Sequence, residues 1–352
     1  MVHASGGGPD LGESPLVLTW EVTQACALEC DHCRAEAVPG RDPDELTTAQ
    51  ARSFIDDLTG FEDPPIFVFS GGDPLERPDL FDLVEYAVDA GLRTGVTPAP
   101  TPSLDRAVIE RFADLGVARV ALSLDGDTPD RHDAFRGEAG SFETVMRAAR
   151  AANEAGLSIQ INTTVTADTV TALPGIADIV EDLGAAMWEV FFLVPVGRGL
   201  DLEQLAPAAT VPVMEWLYRR QRDAPFRVVT VEAPHYRRVA HRVEAADSGR
   251  SVRVGSTRAG KGFLFVSHTG EIYPSGFLPA TVGNVVDDDV VDRYREAQLL
   301  ERLRDADTFS GACGTCEFRS LCGGSRSRAF AATGDPFESD PLCPFPPHGA
   351  ST

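Results

Sequence analysis

Seven cysteines carry the first chemical information in the 352-residue chain. Cys26, Cys30 and Cys33 lie near its start and Cys313, Cys316, Cys322 and Cys343 near its end, with none between. The count is odd, and Met1 to Pro15 lack the basic-then-apolar order of a secretory signal, so a disulfide framework is not expected. Thiols serving only as small apolar core groups would be scattered, not gathered into two clusters. The spacing Cys26-x3-Cys30-x2-Cys33 wraps one loop around a metal group. A structural zinc would need a fourth protein ligand, and His32 is wedged between Asp31 and Cys33, a poor place for one. A [4Fe–4S] cluster on three thiolates leaves one iron open to a small molecule. The second set, Cys313-x2-Cys316-x5-Cys322-x20-Cys343, has four thiolates. Four suit either a closed zinc site or a fully ligated [4Fe–4S] cluster, and spacing alone does not separate them.

The elements around the first loop extend the pattern. Leu16 to Val22 reads as a strand that delivers the cysteines, and Ile66 to Ser70 as a second strand ending in Gly71-Gly72-Asp73-Pro74. Further strands are expected from Val120, ending near Ser123 and Asp125, from Ile159 to Val165 with Asn162, and from Trp188 to Val194, which leads to Gly197-Arg198-Gly199. Helical patterns at Thr48 to Leu58, Asp79 to Ala90, Leu104 to Leu115, Ser141 to Ala155 and Leu173 to Leu183 alternate with them. Such alternation gives a parallel sheet with helices outside. Functional groups then belong at the C-terminal ends of the strands.

With its CxxxCxxC loop and its Gly-Gly-Asp turn about 40 residues later, the chain resembles the radical S-adenosylmethionine (SAM) superfamily. His32 stands where that family more often has Tyr or Phe. The resemblance implies a partial (β/α)6 barrel and a [4Fe–4S] cluster on Cys26, Cys30 and Cys33. It implies SAM contacts from His32, Gly71, Gly72, Asp73, Ser123, Asp125 and Arg136; beside them Asn162 either faces the site or simply packs, and Arg198, in its loop at the barrel edge, is a candidate for binding SAM or a substrate carboxylate. Phe263 to Phe277, Gly283-Asn284 and the four late cysteines resemble a SPASM/twitch-like auxiliary-cluster domain of α+β type. A full SPASM domain has seven cysteines. Here Ser275 and Arg326 stand at two of those places, so one auxiliary [4Fe–4S] cluster is expected instead of two. The expected organisation is a flexible leader at 1–15, the barrel at 16–205, a helical linker at 206–255 and the auxiliary domain at 256–347.

The arrangement is most similar to that of the enzymes of the alternative haem and haem d1 routes. It implies reductive cleavage of SAM to a 5′-deoxyadenosyl radical, with ferredoxin or flavodoxin as electron donor. The reaction would be oxidative decarboxylation of the propionates of Fe-coproporphyrin III: loss of a hydrogen atom, carbon dioxide and one electron leaves a vinyl group. A maturase acting on a peptide substrate shares the architecture. A non-catalytic electron carrier would need no Gly71-Gly72-Asp73 pocket. Between the modules, Val231 to Arg238 is dense in functional groups; His235 or Tyr236 could ligate a porphyrin iron, and Arg237 or Arg238 could pair with propionates. The same residues also suit an ordinary helix start. His268, beside a Thr-Gly turn, reads as structural.

Composition narrows the partners. Acidic residues outnumber basic ones 54 to 31, a net charge of -23, and Lys261 is the one lysine. Nucleic acid would be repelled. No apolar run approaches the ~18 residues of a membrane span, and the expectation is a cytoplasmic protein. The acids are spread along the chain, which suits a salt-rich cytoplasm. At 1 M salt the screening length falls to about 3 Å, so thermal stability and activity are expected to rise in molar potassium chloride. Full stability in dilute buffer with no gain from salt would remove the halophilic reading.

Overall fold

The alternation of strands and helices builds one parallel sheet. Its first strands in chain order are β1 (Val17–Glu21), β2 (Ile66–Ser70), β3 (Thr94–Val96), β4 (Arg119–Ser123), β5 (Ile159–Val165), β6 (Met187–Phe192) and β7 (Arg227–Val231). Each pairs in parallel with the next. The computed structural model describes residues 10–248 and 257–345. Residues 1–9 of the expected leader, 249–255 of the expected linker, and 256 and 346–347 of the expected auxiliary domain lie outside the described residues.

The sheet continues beyond β1 with C-terminal strands. These are β8 (Arg258–Ala259), β9 (Gly262–Val266), β10 (Glu271–Tyr273) and β11 (Gly283–Asn284), and the order runs β11-β10-β9-β1-β2-β3-β4-β5-β6-β7, with β8 on β9. β9 lies parallel to β1, Val17 facing Phe263, while β9 and β10 form the expected antiparallel hairpin. The auxiliary domain is therefore stitched into the barrel sheet along its first strand.

Helices cover the outer face. Thr48–Leu58, Leu80–Asp89, Arg106–Asp114, Ser141–Glu154 and Leu173–Asp182 each bury one apolar stripe against the strands. Trp20, Phe54, Phe67 and Phe69 are all fully buried, and their rings lie 4.7 to 6.3 Å apart. Burying aromatic rings of this size dominates core energetics. Thr47 opens the first of these helices with a reciprocal capping box, its side chain and that of Gln50 each satisfying a backbone N–H that the helix leaves open. Among the described residues no helix is long and apolar enough to cross a membrane.

Two expected boundaries differ from the structure. The segment 206–255 is not only helical: between helices Pro207–Asp223 and Tyr236–Ser248 the β-branched run of β7 adds a seventh parallel strand beside β6. Residues 10–15 of the expected flexible leader are pinned to the auxiliary domain. The Tyr294 hydroxyl donates to the Leu11 carbonyl at 2.6 Å, Arg295 Nε donates to that of Glu13 at 3.2 Å, and Ser14 is buried.

Candidate functional site

The chain leaves β1 at Glu21 and turns across the top of the sheet to form the Cys26–Cys33 loop. Two contacts fix its start. Gly72 N–H donates to the Thr23 carbonyl at 2.8 Å, and Asp73 N–H to that of Ala25 at 2.7 Å. The approach is so close that a Cβ on Gly71 would stand 2.6 Å from Thr23 O, and one on Gly72 2.4 Å from Ala25 O. Only glycine fits where two backbones meet in this way.

Arg198 holds the other side of the loop. Its Nε donates to Cys30 O at 2.9 Å, its Nη1 to Ala37 O at 3.2 Å and its backbone N–H to Cys33 O at 3.1 Å. Arg34 clips the loop to the auxiliary hairpin. It pairs with Glu21 at 2.5 Å, reaches Gly276 O at 3.4 Å and lies over the Phe265 ring. His268 bonds Glu21 at 3.0 Å and Asp42 at 3.3 Å. Burial works against its charge, but the two carboxylates outweigh it and hold its pKa above the ordinary value.

The three cysteines open onto a cavity of about 220 Å³ at the C-terminal strand edge. His32, Gly71, Gly72, Ser123, Arg136, Asn162 and Arg198 also line it. Thr164 and Phe277, which the sequence did not single out, line it as well. The His32 ring stacks on Phe135 with centroids 4.7 Å apart, and burial depresses its pKa to about 3, so it stays neutral. Leu28 N–H points at Cys26 Sγ and Ala37 N–H at Cys33 Sγ, both at 3.4 Å. Such donors favour thiolate sulfur. Burial pushes the Cys26 thiol up to about 12 and raises that of Cys30. Ligation by metal therefore has to release protons here.

Asp73 and Asp125 do not line the cavity. Asp73 is fully buried and accepts from Leu75 N–H, Ala99 N–H and the Thr101 hydroxyl, at 3.2, 3.2 and 3.0 Å. It ties the glycine turn to the next loop. Asp125 accepts from Arg136 and from Thr164 N–H. Burial raises its pKa, but the Arg136 guanidinium wins and holds it below the usual carboxylate range. Arg136 Nη1 also reaches Cys30 Sγ at 3.8 Å. Asp125 therefore orients the arginine that faces the cavity and the cysteine loop.

A second cavity, of about 340 Å³, is lined by Cys313, Cys316, Cys322 and Cys343, with His235, Arg238, Phe318 and Phe345. Arg326 Nη2 donates to Cys313 Sγ at 3.3 Å, Asp340 N–H to the same sulfur at 3.5 Å and Phe318 N–H to Cys316 Sγ at 3.4 Å. Gly324 brings the backbone in at a left-handed φ of 66°, where a Cβ would stand 2.9 Å from Cys313 Sγ. Burial pushes Cys322 up to about 12 and Cys343 to about 11.

The positions that depart from a full SPASM pattern have other partners. Ser275, Ser325 and Ser327 all donate to the Glu232 carboxylate. Arg326 serves Cys313 and the carbonyls of Pro336 and Glu338. Among the residues between the modules, His235 and Arg238 line the second cavity and not the first. Arg238 lies between the Phe318 and Phe345 rings. Tyr236 is buried near Tyr218, and Arg237 donates to Leu321 O at 2.8 Å. Thus Tyr236 and Arg237 line neither cavity.

Comparison with known proteins agrees with this geometry. The radical SAM superfamily matches residues 20–202. An AdoMet-dependent heme synthase of Methanosarcina barkeri is 35% identical over 95% of this chain and 97% of its own. A mycofactocin maturase of Mycobacterium ulcerans is 32% identical over 94% of this chain and 88% of its own. Streptococcus suis SuiB, in its crystal structure bound to S-adenosylmethionine, shares the fold with a TM-score of 0.72 at 17% identity, over 95% of this chain and 78% of that one. The superfamily uses a [4Fe–4S] cluster and SAM. From the cysteine loop through the sixth strand, and in its likeness to relatives spanning nearly its whole length, this chain belongs to the radical SAM superfamily of enzymes.

Proposed function

We propose that this enzyme acts on an iron porphyrin, converting propionates of Fe-coproporphyrin III to vinyl groups with release of carbon dioxide. The observation that carries the reading is the end-to-end likeness, 35% over 97% of the other chain, to the heme synthase of M. barkeri. Cys26, Cys30 and Cys33 would hold the first [4Fe–4S] cluster, and Cys313, Cys316, Cys322 and Cys343 an auxiliary one. The second cavity, lined by all four late cysteines, is read as a cluster site, as their resemblance to a SPASM/twitch-like domain implies.

When bound, the clusters supply an electron that splits SAM and a place for the electron left by decarboxylation. The chain supplies position and dryness. Held by only three thiolates, from Cys26, Cys30 and Cys33, the first cluster would keep room for SAM to bind. Arg136, steadied by Asp125, offers a cation toward the SAM carboxylate. Ser123, Asn162 and Thr164 present polar groups at the strand ends for the ribose. Gln160 Nε2 donates to Asn162 Oδ1 at 2.8 Å, which leaves the Asn162 amide N–H groups for the ligand. Phe191 to Val194 and Phe277 wall the cavity with apolar surface, which excludes water from a reactive radical. The electron would come from a cytoplasmic ferredoxin or flavodoxin.

Anaerobic assay of the reconstituted protein with SAM, dithionite and Fe-coproporphyrin III tests the substrate. Vinyl products and 5′-deoxyadenosine, separated by chromatography, are expected together. Protein that cleaves SAM yet neither binds nor changes the porphyrin would remove the haem reading. The alternative of peptide maturation, favoured by the 32% match to the M. ulcerans maturase, would then lead.

A further inference from the structure

His235 is the residue that the proposed reaction leaves without a task. It follows β7 and stands immediately before the helix Tyr236–Ser248. The turn that delivers it is unusual: Glu232 adopts a left-handed φ of 54°, held by Ser275, Ser325 and Ser327. Non-glycine residues are rarely found there unless their surroundings impose it. The result is an imidazole only 1% exposed.

Both of its ring nitrogens lack a hydrogen-bond partner among the described residues. A buried polar group in that state calls for an explanation. The ring lines the second cavity together with all four late cysteines. The side chains around it leave few alternatives. Asp340 and Arg328 are paired with each other at 3.2 Å and fully buried. Asp340 is further engaged by the Ser325 and Leu342 N–H groups, and Arg328 by the carbonyls of Phe192 and Leu193. The Phe192 ring stands T-shaped to the imidazole with centroids 6.5 Å apart. What remains for an imidazole N–H is the content of the cavity.

We propose that His235 donates an N–H hydrogen bond to the iron–sulfur cluster held by Cys313, Cys316, Cys322 and Cys343, and so holds its reduction potential up. This rests on reading the second cavity as a cluster site. Hydrogen bonds to cluster or cysteine sulfur stabilise the more negative, reduced state, and they are one of the means by which proteins set such potentials. His235 is thus a positioning and tuning residue. Its ring also touches Phe192, which lines the SAM cavity, so it stands in the wall between the two sites.

The test is an EPR-monitored redox titration of the full-length protein carrying both clusters, with SAM present to set the first cluster's signal apart. In His235→Phe the reduced-to-oxidised ratio of the auxiliary cluster at a fixed poise should fall about tenfold, about 59 mV for a one-electron couple. His235→Gln keeps an N–H and should restore most of that ratio, with iron content unchanged in both variants. A His235→Phe protein with full iron and the wild-type titration overturns the proposal. Loss of the auxiliary iron in His235→Phe also overturns it, because it makes His235 a ligand or a strut. Wild-type protein with only about four irons overturns the underlying cluster reading instead, a different and separately visible result. A measurement on unsubstituted protein guards against a variant that does not fold. With 15N-labelled histidine, the reduced auxiliary signal should show a weak nitrogen coupling. No coupling, or one of the strength of a direct Fe–N bond, overturns the hydrogen bond.

Discussion

Replacing Gly72 with alanine is expected to lower SAM cleavage by about 10²-fold or more, the scale on which an ångström of misplacement costs a reaction its geometry. The added Cβ would stand 2.4 Å from Ala25 O, 2.6 Å from Gln24 O and 2.8 Å from Ala25 C. All three are backbone atoms of the segment that leads directly into Cys26, so no side chain can swing away to make room. The loop must move, and the three thiolates move with it. The second cavity lies in another module and should keep the cluster proposed for it, so bound iron should fall from about eight atoms toward about four. Gly40→Ala is the internal control: Gly40 follows the same loop, and its added Cβ would meet nothing within 4 Å. That variant should retain wild-type iron and activity. A Gly72→Ala protein that cleaves SAM at the wild-type rate would show that this contact does not hold the loop.

The cysteine loop and the glycine turn were legible in the sequence because they rest on residue types with few alternative uses, whereas the close approach of one backbone to the other was not. Clustered cysteines and a glycine pair after an apolar strand point to one arrangement, and β1, β2, β4, β5 and β6 lie where the alternating pattern puts them, whereas the three-residue β3 is too short to show in it. The misses have identifiable physical causes. Helices followed by glycine punctuate the first half of the chain, but the helix Pro207–Asp223 runs into Ala224 and Pro225 with no glycine. The five-residue strand β7 behind it therefore read as part of a helical stretch. Ser123 and Asp125 share a face only while the chain stays extended. β4 ends at Ser123, and Asp125 turns inward beneath Arg136 while Ser123 stays in the cavity wall. Arg198 sits where expected, yet spends its guanidinium on the carbonyls of Cys30 and Ala37, a role that depends on a tertiary contact no local pattern encodes. His235 belongs with four cysteines far along the chain, and the fold alone brings them together.

Removal of one thiolate from the second cavity should separate the two halves of the proposed reaction. Cys322 is buried, at the far side of the auxiliary module from the SAM loop in sequence, and lines only the second cavity. In Cys322→Ala, the residues proposed to hold SAM and its cluster are untouched: Cys26, Cys30, Cys33, the glycine turn and Arg136 all remain. SAM should still be cleaved to 5′-deoxyadenosine at a rate within a fewfold of wild type. Decarboxylation leaves one electron over for each vinyl group formed, and the variant has lost the site proposed to receive it. The expected signature is uncoupling: 5′-deoxyadenosine accumulates while vinyl product falls by about 10²-fold or more, a loss of about 2.7 kcal/mol or more in the step that forms it. The structure adds a reason to expect the effect to be local. Arg326 spans Cys313 and the carbonyls of Pro336 and Glu338, and the Arg328–Asp340 pair anchors the same segment to the end of β6, so the module keeps its frame when a single sulfur is lost. Following both products from one anaerobic reaction decides the matter. A Cys322→Ala enzyme that makes vinyl groups at the wild-type rate removes the second cavity from the electron's route. One that fails to cleave SAM shows instead that the two modules fold as a single unit, joined through β9 and β1.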